Sequence, residues 1–370
     1  MSTHKLQFEE FLFAGQQDTA LLGLPTSAPF PLALRPEGKW EPTLAEAIDT
    51  IKRLVESEDF LGRVRGHGGA VLIRGLPIST PDDYSDVAHA FGFEPHEEVG
   101  RPPLRTVLAK NVKTANEGPP EMPIWPHNEY GWSTINPAWL TFSCLDVPSE
   151  GGGTPIISSL GLAAALKKQA PEFVDKLLQK GVKYVYRYGA TEVKSNTGTS
   201  VFNAYGQNVS PGDDQATIRR KIEQEVRRHS HRYQWHDDGS LSVTHIVPLI
   251  RRHEETGLTT WFGNLTSAWG RTRHHGATEP PHLGDDGSYH PPPEYGDGSP
   301  IEKKYLDLAL LLAEQAQVVV DWEQGDIVLL DNYAVMHSRC PWKGKRTVLA
   351  ALWDNNNHLR IGDYPTREKL

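Results

Sequence analysis

Two short segments constrain this chain more than any other part of it: Trp125-Pro126-His127-Asn128-Glu129-Tyr130 and Asp331-Asn332-Tyr333-Ala334-Val335-Met336-His337. About two hundred residues separate them. In a strand, residues i and i+2 point the same way, so a strand here projects His127 and Glu129 from one face and turns Asn128 away. With His337 they make a two-histidine, one-carboxylate set. Such a set can hold one face of a divalent iron and leave the opposite face open for a cosubstrate and oxygen. The chain must then fold so that a strand near 337 meets a strand near 127. The letters alone are weak evidence, because there are 16 histidines to draw from. An ordinary half-buried His127 and a solvated Glu129 fit the same pattern.

The rest of the composition narrows the field. A chain of 370 residues is long enough for one large domain or two small ones. With 33 Gly and 28 Pro, much of it must be loop and turn. The net charge is −9 and no run of Lys and Arg forms a phosphate-binding stripe, so nucleic acid is not an expected partner. The nearest basic cluster, Arg227, Arg228, His229, His231 and Arg232, reads as a solvated helix end. Two cysteines, Cys144 and Cys340, make neither a disulfide framework nor a zinc knuckle. The first residues lack the layout of a secretory signal, and no apolar run nears the ~20 residues that span a bilayer. A cytoplasmic protein with no membrane partner is the expectation. The sequence leaves a homo-oligomer open.

Local signals place several elements. Thr43-Leu44-Ala45-Glu46 is a capping box opening a helix to about Ser57. Gly69 to Gly75 holds a short buried strand, and Thr80-Pro81-Asp82-Asp83 caps a second helix toward Phe91. Further helices are expected over Pro171–Gln179, stopped by Gly181, over Asp214–Arg228 and over Ile301–Ala316. Strands are expected over Trp139–Cys144, Leu258–Phe262, Val318–Trp322, Asp326–Leu330 and Thr347–Trp353. Residues 270–300, rich in Gly, Pro, Asp and His, read as a long loop, a lid or insert over a binding site. Its histidines, His274, His275, His282 and His290, read as solvated side chains. The pattern predicts an antiparallel double sheet with helices packed outside. Residues 1–64 form an N-terminal extension and helix packed on a domain spanning 65–370.

Zinc is the first rival metal, since His₂Glu sets hold catalytic zinc. The helical His-Glu-X-X-His signature is absent: His96-Glu97-Glu98 and His253-Glu254-Glu255 lack the second histidine. Trp125, Pro126, Tyr130 and Trp132 around His127 favour strand or loop over helix. Two further features are weak singly. Glu150-Gly151-Gly152-Gly153-Thr154-Pro155 reads as a glycine-rich turn. Arg346, nine residues after His337, reads as an arginine at a strand start, or as one able to grip a dicarboxylate with two hydrogen bonds.

Taken in order, Thr114-Ala115-Asn116-Glu117, Pro126-His127-Asn128-Glu129, Gly151 to Pro155, Gly325-Asp326 to Asn332, His337-Ser338-Arg339 and Gly344-Lys345-Arg346 resemble the taurine-dioxygenase-like superfamily of iron(II)- and 2-oxoglutarate-dependent oxygenases. The resemblance is to the His-X-Glu branch that includes clavaminate synthase and the syringomycin aspartate hydroxylase. It spans about residues 65 to 355, and each motif is weak without the others. It implies a mainly β fold with helices, a double-stranded β-helix (jelly-roll-like) core with helical additions. It implies that His127, Glu129 and His337 bind Fe(II), and that Thr154 and Arg346 hold the far carboxylate of 2-oxoglutarate, with Arg339 the alternative anchor. O₂ is the other cosubstrate. Ser338 stands where this branch often has Gly, and three glycines precede Thr154 where an acidic residue is common. The implied reaction is oxidation of an unactivated C–H bond of a small molecule, an amino-acid derivative in specialised biosynthesis, with release of succinate and CO₂. Tyr130 and Trp132, with parts of 270–300, are expected to face that substrate. A non-catalytic jelly-roll binding protein and a zinc hydrolase are the alternatives. The intact triad opposes the first, and Thr154 with Arg346 opposes the second.

Overall fold

The computed structural model describes residues 8–57, 60–100, 105–115, 118–191, 199–354 and 361–363. Asn116 and Glu117 of the first family-like motif lie outside the described residues. The chain is mainly β with helices. An eight-stranded sheet runs in the order Phe8–Glu10, Leu32–Pro36, Ala70–Ile73, Ile327–Asp331, Trp139–Asp146, Thr347–Trp353, Val112–Thr114, Val107–Ala109. A four-stranded sheet holds Val318–Val320, Thr154–Ser158, Val335–Arg339 and Ile124–His127 in that order.

The apolar runs of the large sheet are nearly continuous because both of its faces are covered. Along Ile327–Asp331 successive side chains alternate faces. Val328 and Leu330 join Leu140, Phe142, Ala350 and Leu352 in the core shared with Ile156, Val335 and Met336 of the small sheet. Ile327 and Leu329 join Trp139, Leu349, Ala351 and Trp353 in a second core. There they meet Ala47, Ile51 and Leu54 of the helix Leu44–Glu56, and Tyr84, Val87 and Ala88 of the helix Pro81–His89. Both helices begin as their capping signals require. Glu46 reaches back to the Thr43 amide, and Asp83 to the Thr80 amide.

Two features depart from the expectation of an antiparallel double sheet. Leu32–Pro36 pairs with Ala70–Ile73 in parallel, because the connection between them carries helices and crosses over. A separate sheet of Arg232–Trp235, Leu241–Val247, Val182–Tyr188 and Glu294–Tyr295 packs against the helix Gln215–Val226 around a third core. Residues 270–300 also contain more regular structure than a loop. The helix Leu265–His274 runs into them, and Glu294–Tyr295 joins a sheet. Among the described residues no helix is long and apolar enough to cross a membrane.

Candidate metal centre and its cavity

His127 ends the strand Ile124–His127, and its cross-strand partner is His337 in Val335–Arg339. The pairing stands the two imidazoles 4.3 Å apart at 50°. Glu129 does not sit on that strand, contrary to the simple i, i+2 picture. The strand ends at His127 and the chain turns, with Tyr130 in the left-handed region at φ 54°. Asn332 makes this turn possible. Its Oδ1 accepts from the Glu129 amide at 2.9 Å, and its Nδ2 donates to the Glu129 carbonyl at 2.9 Å and to the Pro137 carbonyl at 2.8 Å. Asn128 turns away, as expected, into bonds with Ser159 and the Asn332 carbonyl.

Glu129 Oε2 consequently lies 3.5 Å from His337 Nε2 and 3.9 Å from His127 Nε2. One donor atom from each of the three residues falls within 4.8 Å of the others. The electrostatics suit a cation. Burial, with His337 beside it, pushes His127 down to about 4, so its ring is neutral near pH 7. Its Nδ1 lies 2.9 Å from the Trp125 carbonyl, which fixes the proton there and leaves Nε2 to face inward. Burial alone would raise Glu129, but Arg105 and the two imidazoles outweigh it and hold the carboxyl well below its ordinary range. Arg105 Nη2 donates to Glu129 Oε1 at 2.7 Å, so one carboxylate oxygen is held and the other points at the histidines. Two imidazoles, that of His127 held neutral, and a carboxylate that is ionised at neutral pH are a donor set that suits an Fe(II) ion.

The triad opens on a cavity of ≈ 190 Å³, and every sequence-predicted site residue lines it. Thr154 and Arg346 stand together: Arg346 Nε donates to the Gly152 carbonyl at 2.8 Å, and Nη2 reaches Thr154 Oγ1 at 3.5 Å. Gly152 must be glycine here. Its φ is +73°, and a Cβ would come within 3.0 Å of both Arg346 Cδ and Trp342 Cβ. Burial pushes Arg346 down to about 10, which leaves it charged at neutral pH. Arg339 Nη2 donates to the Pro119 and Met122 carbonyls at 3.1 and 2.6 Å, which ties down the 118–123 segment. Tyr130 and Trp132 are both buried, their rings 5.4 Å apart, and the Tyr130 hydroxyl donates to Glu98. Of residues 270–300, Arg271 lines the cavity.

Sequence reasoning missed Arg105, Asn332 as a holder of Glu129, Tyr186 and Arg271. Tyr186 carried a usable signal, because Val182–Tyr188 alternates inward and outward residues. Arg271 carried none. It opens on the cavity beside Tyr186, and no carboxylate among the described residues pairs with it.

A family model for the taurine catabolism dioxygenase TauD, TfdA family matches residues 53–353. The chain belongs to the TauD/TfdA family. It is an Fe(II)- and 2-oxoglutarate-dependent dioxygenase. A clavaminate synthase-like protein of Arabidopsis thaliana is 30% identical over 335 residues, covering 88% of this chain and 94% of that one. The dapdiamide synthesis protein DdaC of Enterobacter agglomerans is 25% identical over 293 residues, covering 77% and 82%. A taurine dioxygenase from Burkholderia xenovorans superposes with a TM-score of 0.46 at 16% identity, covering 96% of this chain and 94% of that one.

Proposed function

We propose that His127, Glu129 and His337 hold the Fe(II) of this dioxygenase, and that Arg346 with Thr154 holds the far carboxylate of 2-oxoglutarate. One observation carries the reading: two imidazoles and a carboxylate from two segments distant in sequence converge in a cavity whose wall also presents a charged arginine beside a threonine hydroxyl. With 2-oxoglutarate and O₂ bound, the iron supplies oxidation of a C–H bond, with release of succinate and CO₂. The protein's own groups orient and enclose. Arg346 presents a planar fork to a carboxylate and Thr154 adds a hydroxyl. The buried aromatic wall of Tyr130 and Trp132 excludes water from the reacting C–H bond. Arg339 is the secondary candidate for the carboxylate, already engaged with two carbonyls.

The second substrate is a small molecule with an anionic group, most simply an amino acid or its derivative in specialised biosynthesis. Arg271 supports this. A cavity-facing guanidinium with no carboxylate beside it among the described residues is a receptor for one from outside. A relative that works in dapdiamide synthesis agrees with that class. Tyr130, Trp132 and Arg271 line the substrate side, with 270–300 closing over it, and the two facing sheets make the family's double-stranded β-helix. The product is hydroxylated, desaturated or cyclised. The test is anaerobic addition of Fe(II) and 2-oxoglutarate, followed by visible absorbance, then a screen of amino acids and their amides for succinate release. Wild-type protein develops an absorption band and Glu129→Ala does not. A band of equal strength in Glu129→Ala would reject the centre.

A further inference from the structure

A second group of metal-ligating side chains converges away from the catalytic cavity. His275, Asp286 and His290 each offer a donor atom, and these lie within 4.8 Å of one another. The sequence reading left both histidines as solvated, but His275 is only 6% exposed and His290 is half-buried. The two imidazoles stack face to face, 4.3 Å apart and 9° from parallel. Asp286 lies 3.1 Å from His290 Nε2 and 4.0 Å from His275 Nδ1. Asp285 Oδ1 is 2.8 Å from that same His275 nitrogen.

We propose that His275, Asp286 and His290 bind a divalent ion of the zinc class, and that this ion staples the 282–290 hairpin to the end of the helix Leu265–His274. Two imidazoles and a carboxylate are a donor set that zinc and its neighbours in the first row accept. The backbone around the cluster is shaped for close approach. A Cβ at Gly284 would meet His290 Cδ2 at 2.7 Å, Asp286 Oδ1 at 2.8 Å and His275 Cβ at 2.9 Å. Bonds from Gly284 to Ser288 and from His290 to His282 close the hairpin, and the Asp285 amide donates to the His275 carbonyl. His275 is also the C-cap of the helix, where a cation meets the negative end of the helix dipole.

The consequence reaches the active site by geometry. The same helix carries Ser267 and Arg271 on the cavity wall. An ion at its last turn fixes the chain that follows and holds the register in which Arg271 faces inward. This inference does not depend on which residues hold iron or on what Arg271 binds.

The test separates the two sites. Protein stripped with chelator, in wild-type form and as the His127→Ala/His337→Ala variant, is titrated with Zn(II) and its metal content measured after gel filtration. The expected result is one bound equivalent in the double variant, lost when His290→Ala or Asp286→Asn is added. Zn(II) should raise the melting temperature of the double variant and leave that of the triple variant unchanged. If the double variant does not fold, wild-type protein and His290→Ala serve instead, with the content falling by one equivalent. No bound equivalent in the double variant, or one that survives loss of both His275 and His290, would overturn the proposal.

Discussion

Replacing Arg346 with leucine should separate cosubstrate binding from everything else in the cavity. Arginine has five N–H donors. Here the Nε–H is spent on the Gly152 carbonyl at 2.8 Å, and Nη2 lies 3.5 Å from Thr154 Oγ1. The two terminal nitrogens keep a free fork for a carboxylate. Hydrogen bonds to charged groups contribute about 1.5–3 kcal/mol each. Two such bonds, less what water recovers in the variant, give a loss of about 3 kcal/mol, which is on the order of a 10²-fold weaker grip on 2-oxoglutarate. Lysine keeps the charge but not the fork, so Arg346→Lys should recover part of that loss. The assay is anaerobic titration of the Fe(II)-loaded protein with 2-oxoglutarate, read by visible absorbance, with succinate release measured in parallel. The apparent KM for the second substrate should change by less than about threefold, because this is a cosubstrate contact. Unchanged 2-oxoglutarate affinity in Arg346→Leu, with a large loss in Arg339→Leu, would refute the assignment.

Other expectations follow from single contacts. Arg271→Met should raise the KM for an anionic second substrate on the order of 10²-fold, by loss of one charge-assisted pair, while 2-oxoglutarate titrates as in wild type; equal effects on both would remove Arg271 from the substrate side. Asn332→Ala deletes three buried hydrogen bonds around Glu129, so thermal unfolding should show a loss of about 3 kcal/mol together with reduced iron content. His229, bonded to Ser133 and Tyr205, is pushed down to about 4, chiefly by burial. Its unfolded pKa is ~6.5 and its folded pKa is lower, so the unfolded chain binds the extra proton. Its contribution to stability is present above pH ~6.5 and is lost as pH falls toward 4, up to about 3 kcal/mol. Urea unfolding of His229→Gln should show a shallower loss over that window, and an identical pH profile would sink the argument.

Local chemistry was legible. The capping boxes at Thr43 and Thr80 act within one turn, so their helices begin where the letters say. Gly181 ends the helix Pro171–Lys180 for the same reason. Strict alternation in Leu241–Val247, with Leu241, Val243, His245 and Val247 turned inward, was equally readable and was passed over. The helix Ser159–Gln169 was harder, because its Leu and Ala residues are spread around the barrel and its face is set by what packs on it. At the start of 270–300 the Arg and His content masked a helix whose Trp269 and Thr272 are buried.

The donor types, His127, Glu129 and His337, were legible in the order of the motifs around them, since two imidazoles and a carboxylate are a set that one Fe(II) ion accepts. Their meeting was decided by tertiary structure. The His127–His337 register is a property of two strands about two hundred residues apart, and no local preference encodes it. Glu129 reaches the site only through a turn that Asn332 holds from the second segment. Arg105 and Arg271 become informative through their surroundings alone. One guanidinium faces a carboxylate and the other faces an open cavity, and an arginine in a sequence does not say which neighbour folding will give it.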